Sequence, residues 1–265
     1  MQNRTVSLHS RFLERQVSLT FLLPPNYDES TEAYPLLILN DGQDFERLRL
    51  SERVEALYQQ EAIPSLMIVG VHANELRLSE YGTAHQPDYK GRGNRAEVHT
   101  KFILQELIPY LEERFRLVTD AKARAIAGFS LGGLSALDIA WNHSEVFSKV
   151  GVFSGSLWWR SRAYEEGYDD ENDRIMHVQI RKSAHRPELK FWLQAGTDDE
   201  KDDRNHNGII DAIDDTLDLM KELKAKGYQP DVDFTYEEVA GGQHNPETWG
   251  AIMPVFLKWA FASSF

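Results

Sequence analysis

The sequence predicts an α/β fold built on a mostly parallel sheet, and three observations carry that prediction. From Pro35 onward, short β-rich apolar runs alternate with longer runs of helical period, the pattern of stacked βαβ units. Several of the short runs, LLILN at 36–40 and VGVF at 150–153 among them, are apolar throughout, as strands buried on both faces must be. No stretch reads as a linker, an internal repeat or a low-complexity tract, so residues 1–265 are expected to form one domain.

The elements follow in order. Residues 15–23 alternate like a half-exposed strand and stop at Pro24-Pro25, which cannot donate to a ladder, so an antiparallel lead-in strand at the sheet edge is expected. Strands are then expected at 36–40, 66–71, 124–127, 150–153, 190–194 and 232–237. Between them, 97–115 places Phe102, Ile103, Leu107, Ile108, Leu111 and Phe115 at three- and four-residue spacings, one apolar helical face that Pro109 should bend. Residues 211–226 and 246–261 read as further amphipathic helices. The polar stretch 160–187 is expected to be irregular and to cap a site.

Composition narrows the function. A net charge of −13 argues against phosphate backbones and anionic membrane surfaces, which need clustered Lys and Arg. No apolar run is long enough to span a bilayer, and the N-terminal MQNRTVSLHSRFLERQ has no uninterrupted apolar core. A cytoplasmic protein without nucleic-acid or membrane partners is therefore expected, with a periplasmic or secreted one as the alternative if a signal was removed, and its oligomeric state open. The absence of cysteine excludes disulfides, thiolate metal sites and a cysteine nucleophile. No organic cofactor is expected.

Residues 128–133 read GFSLGG, directly after the strand RAIA and directly before the helical run LSALDIAWNH. The G-x-S-x-G pattern alone is weak, but in a strand-to-helix setting it describes a nucleophile elbow. Glycines two before and two after the serine let neighbouring backbone approach, and the hydroxyl of Ser130 projects above the sheet. The following helix offers the Leu131 N–H to a developing oxyanion. An N-capping serine at a glycine-rich helix start is the plainer alternative.

AIAGFSLGGLSALDIA, VFSKVGVFSGSLWW, LLILNDGQDFERL, ELRLSEY and FILQELIPYLEERFR together resemble the α/β-hydrolase esterases of the enterochelin, feruloyl and esterase D type. The resemblance covers most of the chain from Val17 onward and implies an α/β-hydrolase fold and a serine esterase of small-molecule esters. It also implies the chain order serine, acid, histidine, which leaves His143, His177, His185, His206 and His244 as candidate bases. His244 follows the last strand in VAGGQHNPETW, and the family's Gly-Gly, His, Trp arrangement maps onto Gly241, Gly242, His244 and Trp249. The acid is expected after KFWLQ, where Asp198, Asp199 and Glu200 stand; the family's Gly-Thr-x-Asp maps it onto Asp199, with Glu200 second. By the same resemblance the second oxyanion donor is the N–H of Gln43. Trp158 and Trp159 are candidate stacking partners for an aromatic acyl group, or a core cluster beneath the loop. Local cations at Lys90, Arg92, Arg95, Arg160 or Arg162 would be needed before an anionic ester is accepted.

The acidic run that follows has its own pattern. Asp203, Asn205, Asn207 and Gly208 fit positions one, three, five and six of the template D-x-[DN]-x-[DN]-G. The carbonyl of Ile209, Asp211 and Asp214 then fit positions seven, nine and twelve. Asp at position twelve and a strand rather than a helix before the loop make it closer to a dockerin loop than to a paired EF-hand, so a structural calcium inserted into the hydrolase fold is expected. Two functional alternatives remain at this level: an acyltransferase of the same fold, and a calcium- or ligand-binding pseudoenzyme in which Ser130 is inert.

Overall fold

A computed structural model, which describes residues 1–262, contains one eight-stranded sheet in the order β1-β2-β4-β3-β5-β6-β7-β8. The strands are β1 (Gln2–Ser10), β2 (Arg15–Leu23), β3 (Leu36–Asn40), β4 (Met67–Val71), β5 (Arg124–Phe129), β6 (Lys149–Phe153), β7 (Lys190–Asp198) and β8 (Phe234–Gln243). β1 and β2 pair antiparallel, β2 lies antiparallel on β4, and the remaining pairs are parallel. The parallel strands β3 to β5 are wholly buried, which is why they carry apolar runs rather than alternation.

Helices cover both faces. On one side lies Leu131–Asn142, apolar on almost every face and buried through Leu134, Leu137 and Trp141. On the other, Val54 and Leu57 of Leu50–Gln59 pack with Met253, Phe256 and Leu257 of Pro246–Phe261. Because every parallel strand points the same way, the loops at their carboxyl ends gather at one edge, where ligands of such sheets bind. No helix among the described residues is long and apolar enough to cross a membrane.

Four expectations change. β1 was not anticipated, because its exposed positions carry polar residues and only Val6 and Leu8 lean on the core. β8 runs on through Gly241 and Gly242, since β7 also extends to Asp198 and the pair continues across an irregularity at Gly196/Asp198. The stretch 160–187 holds the helix Ile175–Lys182, which buries Ile175, Met176 and Ile180. The long helix is not uniform on the approach to Pro109. It passes through a π-helical stretch, Phe102–Leu107, before resuming over Ile108–Arg114, a wider turn that absorbs the missing proline N–H.

Two histidines are sealed inside this frame. His99 lies between Tyr81 and Phe102 with neither ring nitrogen partnered among the described residues, and burial pushes its pKa down to about 3. His177 is pushed to about 3 by the same cause, with its Nε2 on the Asp215 carbonyl at 2.9 Å. Between pH 6.5 and about 3 the unfolded chain binds protons that the folded chain refuses, so stability is present above that window and lost as pH falls through it. Each histidine should contribute a slope approaching about 1.4 kcal/mol per pH unit. His99→Phe, which keeps the ring and removes the titration, should flatten the fall in melting temperature between pH 7 and pH 5; an unchanged slope would assign the acid sensitivity elsewhere.

Candidate active site

The corner begins at the end of β5. Ser130 holds φ 54 and ψ −122, outside the regions L-residues ordinarily occupy. Its N–H donates to the Phe153 carbonyl at 2.8 Å and its carbonyl accepts from the Ser156 N–H at 3.1 Å, so the loop after β6 clamps the turn. The Ser130 and Ser156 hydroxyls are 3.4 Å apart. A Cβ on Gly128 would meet the Gly132 carbonyl oxygen at 2.3 Å, which is the close approach that spacing of glycines permits. Leu131 opens the helix, so its N–H has no intrahelical acceptor.

The opposite wall is the turn after β3. Asp41 takes a left-handed conformation, φ 64, and starts the short turn Gly42–Asp44. Arg77 grips the Asp41 carboxylate with Nε and Nη2, both at 2.8 Å, and the Asp41 N–H donates to the Tyr81 hydroxyl at 3.3 Å. Gln43 is tied by its side chain, donating to Asp41 at 3.1 Å and accepting from the Ala73 N–H at 3.0 Å. A Cβ on Gly42 would strike the Gly70 backbone at 2.4 Å, so the turn sits against β4 as closely as backbone allows. Arg15 of β2 in turn fixes the Arg77–Glu80 helical turn through a two-pronged pair with Glu80 at 3.0 and 2.6 Å.

The third arm comes from β7 and β8. Asp199 has no exposed side-chain surface; its Oδ2 accepts from the Gly196 N–H at 3.0 Å, while Oδ1 faces His244 Nδ1 at 3.9 Å and has no hydrogen-bond partner among the described residues. That separation is an ion-pair distance rather than a hydrogen bond, and such contacts are often loose before substrate arrives. His244 rests edge-on against Trp249, 5.1 Å between centroids. Trp249 also stacks on Phe129 at 5.0 Å and donates to the Ser154 hydroxyl at 2.9 Å. Burial pushes the His244 pKa below its ordinary value, Asp199 pulls it up, and the Arg77 charge pushes it down. Glu200 turns away: the Ala212 N–H donates to it, and burial raises its carboxyl to about 7.

The model of the Esterase family, described as "Putative esterase", matches residues 10–260. The chain belongs to the Esterase family. YbbA of Bacillus subtilis strain 168 is 24% identical over 216 residues, covering 80% of each chain. A solved ferulic acid esterase superposes with a TM-score of 0.76 at 20% identity, covering 98% of this chain and 97% of the other. The enterobactin esterase from Shigella flexneri gives 0.73 at 17% identity, covering 98% and 59%. The protein is an esterase with the mostly parallel, helix-flanked sheet of those hydrolases.

Of the two tryptophans singled out in this esterase, only Trp158 lines a cleft, of about 270 Å³, with Tyr89, Arg92, Arg160, Tyr164 and Glu200. Trp159 is fully buried and packs on Gly82 and Gly93, so as a substrate contact it is a correction: it has no surface to offer. The acidic loop is divided as well. Asp203 accepts from the Asn207 and Gly208 N–H groups at 3.1 and 2.9 Å, and the amides of Asn205 and Asn207 meet Asp214 at 2.7 and 3.2 Å. Gly208 takes the left-handed turn, φ +86. Asp211 is turned toward Arg204, its carboxylate pairing with the guanidinium at 3.2 Å and accepting the Arg204 N–H at 2.9 Å. Among the described residues no three His, Cys, Asp or Glu side chains form a metal-holding group.

Sequence reasoning did not single out Asp41, Tyr81 or Ser156 for a role in the site. Asp41 and Tyr81 stood in the quoted DGQ and SEY stretches, while nothing in the spacing tied Ser156 to Ser130. Gly128→Ala should misplace the elbow, costing about 1–3 kcal/mol by overpacking and most of the esterase activity; wild-type melting and turnover would show that the turn tolerates a side chain.

Proposed function

We propose that this esterase is a serine carboxylic-ester hydrolase working through an acyl-serine intermediate, with Ser130, His244 and Asp199 as its triad. The observation that carries the reading is the Ser130 backbone, held in a strained left-handed turn between β5 and its helix, with a buried carboxylate facing His244 at the carboxyl ends of β7 and β8. A serine hydroxyl needs a base to take its proton and a carboxylate to orient that base. His244 accepts the Ser130 proton as Oγ attacks the ester carbonyl. The N–H groups of Leu131 and Gln43 stabilise the oxyanion of the tetrahedral intermediate. His244 then passes the proton to the departing alkoxide, leaving acyl-Ser130, and activates the water that releases the acid. Trp158, half-buried in the adjacent cleft, is the side chain suited to stack on an aromatic acyl group of feruloyl or siderophore type.

Ser130→Ala should abolish turnover of p-nitrophenyl acetate, and Asp199→Asn should lower kcat by about 10⁴-fold, whereas Glu200→Asn should cost far less. Turnover surviving in Ser130→Ala would sink the acyl-serine mechanism. Since the His244 pKa is lowered, the neutral base persists to lower pH, and the ascending limb of kcat/KM should be centred below 6.5; a limb above that value would point to a different base.

The loop after Asp199 is proposed to take a structural calcium ion. Its donors are hard oxygens at the right spacing, and Asp203, Asn205, Asn207, the Ile209 carbonyl, Asp211 and Asp214 would hold it, with Gly208 at the sharp turn. The ion would supply rigidity to the segment that delivers Asp199. EGTA should then lower the melting temperature and the esterase rate together, and Asp203→Ala should lower both and remove the response to EGTA. A melting temperature indifferent to chelation after dialysis would rule the ion out.

A further inference from the structure

We propose that the cleft beside the catalytic corner binds an amino-acid-like zwitterion, Arg160 taking its carboxylate and Glu200 its ammonium group. The proposal rests on the serine-esterase reading only for making this unit part of the ester substrate.

Arg160 is 8% exposed, yet among the described residues no carboxylate lies within ion-pairing distance of it. Its Nη2 donates to the Tyr89 hydroxyl at 3.2 Å, while Nε is buried without an acceptor. Aromatic rings surround it, Tyr164 at 3.8 Å and Tyr89 at 4.7 Å from the guanidinium carbon. Their faces attract the cation but accept none of its remaining N–H groups, and a guanidinium carries five donors in a fork that fits a carboxylate. A buried cation left in that state is costly. A planar anion entering the cleft satisfies it.

The facing wall has the opposite character. Glu200 lines the same cleft with its Oε1 buried and without a donor, and Asp202 stands beside it. Arg160 and Glu200 do not pair with each other, so the cleft keeps two complementary orphans apart. A dianion would meet repulsion at the acidic wall, and a plain cation at the basic one. The volume, about 270 Å³, is below the range of drug-sized pockets and suits a head group of a few heavy atoms.

Isothermal titration of the Ser130→Ala protein at about pH 8.5, where the Glu200 carboxyl is ionised and an alkyl ammonium keeps its proton, with β-alanine, propionate and propylammonium separates the two arms. β-Alanine should saturate at a concentration about tenfold or more below either single-charge probe. Arg160→Gln should reduce β-alanine to the level of propylammonium, and Glu200→Gln should reduce it to the level of propionate, each in protein with a wild-type circular dichroism spectrum. Arg160→Lys keeps the charge without the fork and should retain part of the advantage. Equal binding of the three probes by the Ser130→Ala protein, or no saturable response to β-alanine, overturns the proposal and needs no folded variant. β-Alanine binding in a protein whose wild type fails to turn over p-nitrophenyl acetate would sink the esterase mechanism and leave the subsite standing. Turnover without β-alanine binding would do the reverse.

Discussion

The geometry of the site depends on one constraint: the chain must reverse from strand to helix at Ser130 within a single residue. That reversal forces a left-handed backbone on a side-chain-bearing residue, at a cost of about 1–3 kcal/mol. Contacts on every side hold it there. The Phe153 carbonyl and Ser156 N–H bracket its peptide groups, the glycines around it admit backbone where a Cβ would collide, and the helix that follows is buried on nearly all its faces. The sheet supplies the rigidity against which this strain is stored.

Around that turn, charge is used as scaffolding. Arg77 with Asp41, and Arg15 with Glu80, chain the turn after β3 to the lead-in strand β2. These pairs are largely buried and two-pronged, so their worth lies in fixed orientation more than in net stability. A second network, in which Arg174 and Arg204 converge on Asp215, ties the helix Asp211–Ala225 to the helix Ile175–Lys182. The acidic density at 196–215 thus separates into a carboxylate turned inward toward His244 and others spent on loop and helix packing.

Much of the fold was legible in the sequence, because parallel buried strands leave uninterrupted apolar runs and the elbow leaves glycines. Helix Pro246–Phe261 and strand β3 fall where periodicity placed them. Strand β1 left no such trace, since an edge strand with polar outward positions looks like a loop. The helix within 160–187 was hidden by its polar flanks, and Trp159 looked like a binding residue because sequence does not tell which of two adjacent indoles points inward. The candidates Ser130, His244 and Asp199 were singled out by motif, chain order and family resemblance. Ser156 and the unpaired state of Arg160 were not, because proximity across strands has no signature in one chain.

Trp249 is the joint between arms that are distant in sequence: it backs His244, stacks on the residue before Ser130 and hydrogen-bonds the corner after β6. It belongs to the helix Pro246–Phe261, which packs on the sheet through Met253, Phe256 and Leu257. One side chain of that helix therefore couples the setting of His244 to the turn at Ser130, so that a displacement of either is felt by the other.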